Sequence, residues 1–321
     1  MSKTNFLNMD RYQFLITGGT GFIGQHLVRE LLSAGHHVII LTRRVEAVKK
    51  LFLEKVTCIS NLKDLSTDTV IDIVINLAGA RILGWRWSDK RKKILSESRI
   101  KLTQQLVDWF GYAKHKPRLL LSASAIGYYG IQPLGDQTIL TEQSMPQPIF
   151  MSQLCQQWES VASSVTQYNV PAVIMRFGLV LGAQGALPMM LQPVKLGLAG
   201  RLGHGKQWVS WIHIDDLLAA MRHVIEQNTT KNNGLKRTQF YNFTAPEAVS
   251  QLSFNQIAAK ILHRPCIIPT PAWLLRILLG EQADLLLSGQ RVAPSALLSS
   301  GFEFSYPQLK QALDHLLKTN I

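Results

Sequence analysis

Short apolar runs alternate with amphipathic stretches through the first half of the chain. Phe14-Leu15-Ile16, residues 37–41, a shorter run near 56–60, residues 71–77, 118–122 and 171–177 are largely apolar at successive positions. Such runs read as strands buried on both faces of a parallel sheet. Between them, Leu27-Val28 and Leu31-Leu32 recur at helical spacing. Ser88 is placed to cap a long helix reaching about residue 112, and a further helix covers about 150–166 after a loop holding Pro133, Pro146 and Pro148. Strands and helices alternating at these lengths predict an α/β architecture, a right-handed, doubly wound parallel sheet.

Beyond Gly178 glycines, prolines and short segments dominate to about residue 210. Residues 213–225 read as a helix returning to the first domain, and Phe240-Tyr241-Asn242-Phe243 as a further strand. Helical runs near 253–262 and 272–287 complete a smaller α+β substrate lobe over the carboxyl edge of the sheet, where ligands bind in such folds. The expected division is 9–185 with the return of about 211–245 as the nucleotide-binding domain, 186–210 and 246–319 as the lobe, and 1–8 as a tail. The first eight residues hold one lysine and no apolar core, unlike a signal peptide, and Met9 is itself a possible start.

The candidate chemistry sits in the first turn. Thr17-Gly18-Gly19-Thr20-Gly21-Phe22-Ile23-Gly24 follows a strand and opens a helix. Gly18, Gly21 and Gly24 are spaced to make the tight turn, to admit a pyrophosphate to the backbone and to pack helix on strand. The helix N-terminus then presents partial positive charge to the phosphates. This is the signature of a Rossmann-type dinucleotide site. The second strand ends in Thr42-Arg43-Arg44, with no acidic residue for the adenosine ribose of NAD. A guanidinium suits a 2′-phosphate instead, through its planar fork of donors. Arg43, with Arg44 sharing the role, therefore predicts NADP(H); two surface arginines starting a helix are the plain alternative. Leu77-Ala78-Gly79 ends another strand with small residues that let a cofactor lie against the backbone.

Charge and cysteine content narrow the setting. The 321-residue chain carries a net charge of +13, which favours anionic partners. Arg81 to Arg118 is densely basic, and Lys90 to Lys93 open the helix after Ser88, where cations oppose the helix dipole. A solvated helix face and a mouth for a phosphorylated substrate both fit. No nucleic-acid motif is present, and no apolar run reaches bilayer length, so neither nucleic acid nor membrane is expected as a partner. Three scattered cysteines suggest neither disulfides nor a metal site, and a reducing, cytoplasmic setting follows. A monomer or a homodimer is expected.

In order, Thr17–Gly24, Asn76-Leu77-Ala78-Gly79, Ser122–Gly130, Arg176-Phe177-Gly178 and His213-Ile214-Asp215-Asp216 resemble the extended short-chain dehydrogenase/reductases, which include the nucleotide-sugar epimerases. Arg86-Trp87, Ser98-Arg99 with Thr103, Cys155-Gln156-Gln157-Trp158-Glu159, Gln207 with Ser210-Trp211, Gln290-Arg291-Val292 and Gly301-Phe302 are similar to an atypical NADP-binding epimerase-family subgroup with its own C-terminal module. The resemblance implies cofactor contacts from Gly18, Thr20, Gly21, Phe22, Ile23, Gly24, Arg43, Arg44, Leu77, Ala78, Gly79, Arg99, Ser122 and Arg176. It implies substrate contacts from Arg86, Gln207, Trp211 and Arg291, although core packing explains Trp211 equally well. His213 and Asp216 match a motif that mostly docks a helix.

The chain departs from the wider family at its catalytic pair. A tyrosine and a lysine four residues later pass the substrate proton there. Counting back from Glu159, their positions hold Met151 and Cys155, and only Ser124 of the usual set remains. Tyr128 and Tyr129, next to Ser124 in sequence, are weak substitutes for the proton donor, and either is more readily a cleft-wall aromatic. Cys155 is a nucleophile only if nearby arginines lower its pKa; a small buried thiol is the plain alternative. Two functions stay open: an oxidoreductase or epimerase acting on a phosphorylated or nucleotide-linked small molecule, and an NADP(H)-dependent sensor or scaffold without turnover.

Overall fold

The computed structural model describes residues 11–82, 84, 86–229 and 237–318. The expected tail 1–8 and the last residue of the expected lobe, 319, lie outside them. Seven parallel strands form the main sheet: β1 (Gln13–Thr17), β2 (His37–Leu41), β3 (Thr57–Ile59), β4 (Ile73–Asn76), β5 (Leu119–Ala125), β6 (Ala172–Phe177) and, after three short strands, β10 (Thr238–Phe243). Their order is β10-β6-β5-β4-β1-β2-β3. The chain moves outward from β1 in both directions, so the topology reverses between β1 and β4. Loops leaving these two strands diverge to opposite faces and open a crevice at their carboxyl ends.

Strand alternation divides the core in two. Phe14, Ile16, Ile40, Ile75 and Leu121 face one side, where α1 (Phe22–Ser33) and α6 (Ile214–Thr229) bury Leu27, Leu31, Leu217 and Met221. Leu15, Ile39, Val74, Leu120 and Ile174 face the other, where α3 (Asp89–Tyr112) contributes Leu106 and Phe110, and α4 (Phe150–Ser163) contributes Ala162. Both layers are nearly dry, which is why these strands read as continuous apolar runs. The short helix α2 (Val45–Leu51) covers the β2–β3 crossover. Ser88 caps α3 by accepting from the Arg91 N–H at 3.2 Å.

A second cluster lies over the carboxyl edge. It joins α5 (Leu187–Lys195), α7 (Gln251–Ile261) and α11 (Leu309–Lys318) through Leu191, Phe254, Leu313 and Leu316. Two short pairs flank it: β7 (Leu179–Leu181) with β9 (Trp211–His213), and β8 (Trp208–Val209) with β11 (Val249–Ser250). The helix expected over 272–287 is broken. It runs as α8 (Ala272–Leu279) and α9 (Ala283–Leu287), because Gly280 adopts φ +59° and turns the chain. Nor do residues 246–319 all pack as a lobe. Leu297, in α10 (Ser295–Ser299), and Phe302 join the core cluster of the parallel sheet. Asp216 anchors the next residues by accepting from the N–H groups of Ser305 and Tyr306 at 2.8 and 2.9 Å.

Helix α1 meets the glycine turn in a backbone contact that leaves no room for a side chain. A Cβ on Gly24 would stand 2.2 Å from the Gly18 carbonyl oxygen and 2.7 Å from Gly19 Cα. Both neighbours are backbone and cannot move aside. Gly24→Ala is therefore expected to destabilise the protein by roughly 2–4 kcal/mol. Chemical denaturation checks this, and an unchanged midpoint would contradict the close approach.

Candidate functional site

The first glycine turn is built to bring the backbone close to β4. Gly18 has φ +73°, and a Cβ there would stand 2.6 Å from Leu77 C and 2.8 Å from Ala78 N. Helix α1 starts at Phe22 with Gly21 as its N-cap, has no side-chain cap and carries no acidic residue in its first turn. The helix thus presents its N-terminal N–H groups and its positive end to the crevice with nothing of the chain's own neutralising them. A cavity of about 340 Å³ opens there. Gly18, Gly21, Phe22, Ile23, Gly24, Leu77, Ala78 and Gly79 all line it, as the sequence reading expects of a cofactor site. Arg43 and Arg44 lie exposed just beyond the carboxyl end of β2, with Thr42 Oγ1 accepting from the Arg44 N–H at 3.2 Å.

A buried hydrogen-bond ladder fixes the strand ends. Thr17 Oγ1 donates to Asn76 Oδ1 at 2.7 Å, and Asn76 Nδ2 donates to Thr103 Oγ1 at 2.8 Å and to Ser122 Oγ at 3.3 Å. Thr103 also receives the Trp158 indole N–H at 2.9 Å. The ladder ties β1, β4 and β5 to α3 and α4 beneath the crevice. It also takes up the Ser122 hydroxyl: Ser122 is fully buried and lies beneath the cavity rather than on its wall.

The opposite end of the cavity is formed by α4 and by β5. Met151, Leu154, Cys155 and Trp158 project from α4 at i, i+3, i+4 and i+7, one helix face. Ser124 and Arg99 are the polar side chains beside them, and among the described residues neither a tyrosine nor a lysine lines the cavity. Ser124 Oγ donates to Glu159 Oε1 at 2.6 Å. Behind it, Glu159 holds Arg176 in a two-pronged pair, Nε to Oε1 at 2.9 Å and Nη2 to Oε2 at 2.8 Å. Both side chains are about 95 % or more buried. Arg176 Nη1 donates to the Tyr129 hydroxyl at 3.0 Å, which donates to Asn242 Oδ1 at 2.7 Å.

This cluster relocates three expected site residues. Arg176 lies below the floor, engaged with Glu159, and not on the cofactor surface. Tyr129 is 2 % exposed; burial pushes its pKa up to about 12, against the opposing pull of Arg176. Tyr128 is half-buried, with the Arg176 guanidinium 3.5 Å from its ring centroid. Neither tyrosine lines the cavity, because the helical turn after β5 swings both rings toward β6. Sequence proximity to Ser124 is thus a poor guide there. Glu159, which served in the sequence only as the mark from which the missing pair is counted, orients Ser124 and falls on the same helix face as Cys155.

Cys155 has the environment of an inert thiol. Burial pushes its pKa up to about 12 and Glu159 raises it further, against hydrogen bonding with Ser124 and the Ala125 backbone and the charge of Arg99. Arg99, where the wider family usually has asparagine, donates to the Leu95 carbonyl at 3.1 Å and the Ala80 carbonyl at 3.0 Å, and lies against Gly79. Burial lowers its pKa, and no carboxylate among the described residues pairs with it. A cation held in this way favours an anionic group in the cavity.

The expected substrate contacts do not converge on this cavity. Trp211 is fully buried in the lobe core. Gln207 donates to the Leu202 and Leu286 carbonyls at 3.2 and 2.8 Å and borders a second cavity with Trp208 and Arg276. Arg291 lies over the Trp208 ring and donates to the Gln137 carbonyl at 3.0 Å, while Arg86 rests on Gly280. His213, Asp215 and His315 come within 4.8 Å of one another, a grouping the sequence reading did not foresee. The two rings hydrogen-bond each other at 3.2 Å, and His213 Nδ1 accepts the Asp215 N–H.

Two predictions follow from the buried cluster. Arg176→Met strands the Glu159 charge and is expected to cost about 3–5 kcal/mol, with part recovered by Glu159→Leu in the double variant. Additive losses in denaturant unfolding would contradict the pairing. A thiol whose pKa is raised to about 12 stays protonated through the neutral range. Alkylation of native protein between about pH 7 and 9, read by peptide mass spectrometry, should therefore leave Cys155 unmodified.

Three comparisons bear on this geometry. The family model described as NAD dependent epimerase/dehydratase family matches residues 14–236, and a domain of unknown function, DUF1731, matches residues 270–316. An epimerase family protein of Staphylococcus epidermidis is 40 % identical over 310 residues, covering 95 % of this chain and 99 % of that one. The epimerase family protein YfhF of Bacillus subtilis is 36 % identical over 303 residues, covering 94 % and 97 %. Among solved structures, the human epimerase family protein SDR39U1 with NADPH superposes with a TM-score of 0.82 at 31 % identity, covering 95 % of this chain and 99 % of that one. A UDP-galactose 4-epimerase shares the fold, with a TM-score of 0.71 at 18 % identity, over 96 % of this chain and 99 % of its own. The chain belongs to the NAD-dependent epimerase/dehydratase family and resembles its atypical short-chain dehydrogenase/reductase members, with an additional C-terminal DUF1731 module.

Proposed function

We propose that the chain binds NADP(H) in the crevice over β1 and β4 and acts there as an oxidoreductase or epimerase on a phosphorylated or nucleotide-linked small molecule. The observation that carries the cofactor assignment is the uncapped start of α1 behind Gly18 and Gly21, which offers free N–H donors to a diphosphate. Arg43 supplies the choice of NADP(H) over NAD(H): it sits at the end of β2, where an acidic residue would favour the unphosphorylated ribose. The NADPH named with the human relative agrees with this reading.

The nicotinamide, when bound, supplies the hydride chemistry. The chain's own part is played by Ser124, Glu159 and Arg99. Because Ser124 gives its proton to Glu159, its oxygen is left as an acceptor toward the cavity. A substrate hydroxyl donating to Ser124 Oγ loses its proton to that oxygen as Ser124 passes its own to the Glu159 carboxylate. Such a relay replaces the missing tyrosine and needs neither Tyr128 nor Tyr129. Arg99 holds the anionic end of the substrate.

A second reading rests on the same cavity wall. Met151, Leu154 and Trp158 are apolar, and the Cys155 thiol is held protonated. A site so poor in titratable groups also suits a sensor that binds NADP(H) without consuming it.

The two readings part in one assay. Protein is loaded with NADPH and given a small-molecule extract, and reduced-nicotinamide absorbance and products are followed together. The enzymatic reading predicts a protein-dependent change in products that falls about 100-fold or more in Ser124→Ala. No change in products with NADPH bound throughout would favour the sensor. Separately, Arg43→Glu is expected to weaken NADPH binding by about tenfold or more while leaving NADH nearly unchanged. Equal losses in calorimetric titrations would remove the 2′-phosphate assignment.

A further inference from the structure

Helix α8 is apolar at every position but Arg276, yet none of its residues is buried. Trp273 is 63 % exposed, Ile277 61 % and Leu278 60 %. A helix apolar all round belongs in a core or against a partner, not in water. The exposed apolar surface continues into the neighbouring segment. Residues 199–203 and 266–270 pair side by side, with Ile268 N donating to Ala199 O at 3.0 Å and Gly203 N to Thr270 O at 2.8 Å. From this pairing and its flanks Ile267 stands 80 % exposed, with Leu196 and Leu198 also exposed.

The two stretches that carry these side chains hold basic residues and no acidic ones. No aspartate or glutamate occurs between residues 160 and 214, nor between 248 and 280, the two stretches that supply the pairing and α8. The same stretches carry exposed Lys195, Arg201, Lys260, Arg264 and Arg276. Two carboxylates follow the end of α8, and both are paired with basic groups. Asp284 lies 3.9 Å from Arg276, and Glu281 is paired with Lys92 at 2.6 Å.

We propose that this face docks on an anionic phospholipid surface, with α8 lying in the interface and Trp273, Ile277 and Ile267 inserted among the headgroups. An exposed apolar helix with an aromatic anchor and a basic surround suits that partner on both counts. A second copy of the chain is the less favoured occupant: a two-fold interface would set the same basic rim against itself. Nucleic acid would leave the aliphatic side chains without contacts. The expectation that no membrane takes part rested on the lack of a spanning run. Among the described residues no helix is long and apolar enough to cross a membrane, and a helix lying in the interface needs no such length.

The test is flotation of the full-length protein with vesicles of phosphatidylcholine alone and with about 30 % phosphatidylglycerol added. Binding is expected only with the anionic lipid, and is expected to weaken sharply between roughly 0.1 and 0.5 M salt. Trp273→Asp with Ile277→Asp changes two exposed positions and should lower the bound fraction about tenfold or more while leaving the unfolding temperature unchanged. Lys195→Glu with Arg264→Glu, which keeps every apolar contact, should also weaken it. Three results would overturn the proposal: no binding to either vesicle, equal binding to neutral vesicles, or undiminished binding by the Trp273/Ile277 variant. Self-association of the unaltered chain that the apolar variant abolishes, without vesicle binding, would assign the face to a second copy instead.

Discussion

The structure depends on a crossing of two pieces of backbone that tolerates no side chain. Gly24, in the first turn of α1, rests on the Gly18 carbonyl, while Gly18 itself, at φ +73°, rests on the end of β4. These contacts fix where α1 points, how closely β1 and β4 approach, and therefore where the crevice opens. An uncapped helix end facing a crevice is an unsatisfied arrangement. A diphosphate satisfies it, which makes the cofactor assignment a consequence of packing and not of the motif alone. The Thr17–Asn76–Thr103 ladder then carries this geometry across to α3 and α4.

Beneath the Ser124 end of the crevice lies a buried charge pair. Glu159 and Arg176 are worth little net stability as a pair, since both lose their hydration. Their role is directional: each prong of Arg176 takes one carboxylate oxygen, and the remaining capacity of Oε1 accepts the Ser124 proton. Ser124 is thereby held as an acceptor toward the cavity. In the proposed enzymatic reading this arrangement moves the substrate proton although Met151 and Cys155 stand where the wider family has its Tyr-Lys pair.

Much of the fold was legible because burial on both sheet faces leaves a continuous apolar run in the sequence. The seven strands of the main sheet, the Ser88 cap and the glycine turn follow from local rules. What was not legible depends on contacts distant in sequence. Arg176 and Ser122 were expected on the cofactor surface, but Glu159 and Asn76, brought in from other elements, draw their polar groups below the floor. Tyr129 turns away because Asn242, 113 residues on, accepts its hydroxyl proton. The break at Gly280 depends on a left-handed backbone that a run of leucines masks. Leu297 and Phe302 return to the first core although nothing in their short apolar segment distinguishes one core from another.

The most direct measurement is the crystal structure of the chain grown with NADPH. The account predicts the diphosphate on the backbone N–H groups at the start of α1 and the 2′-phosphate within hydrogen-bond distance of the Arg43 guanidinium. A cofactor bound elsewhere, or one whose 2′-phosphate lies in solvent away from Arg43, would contradict it.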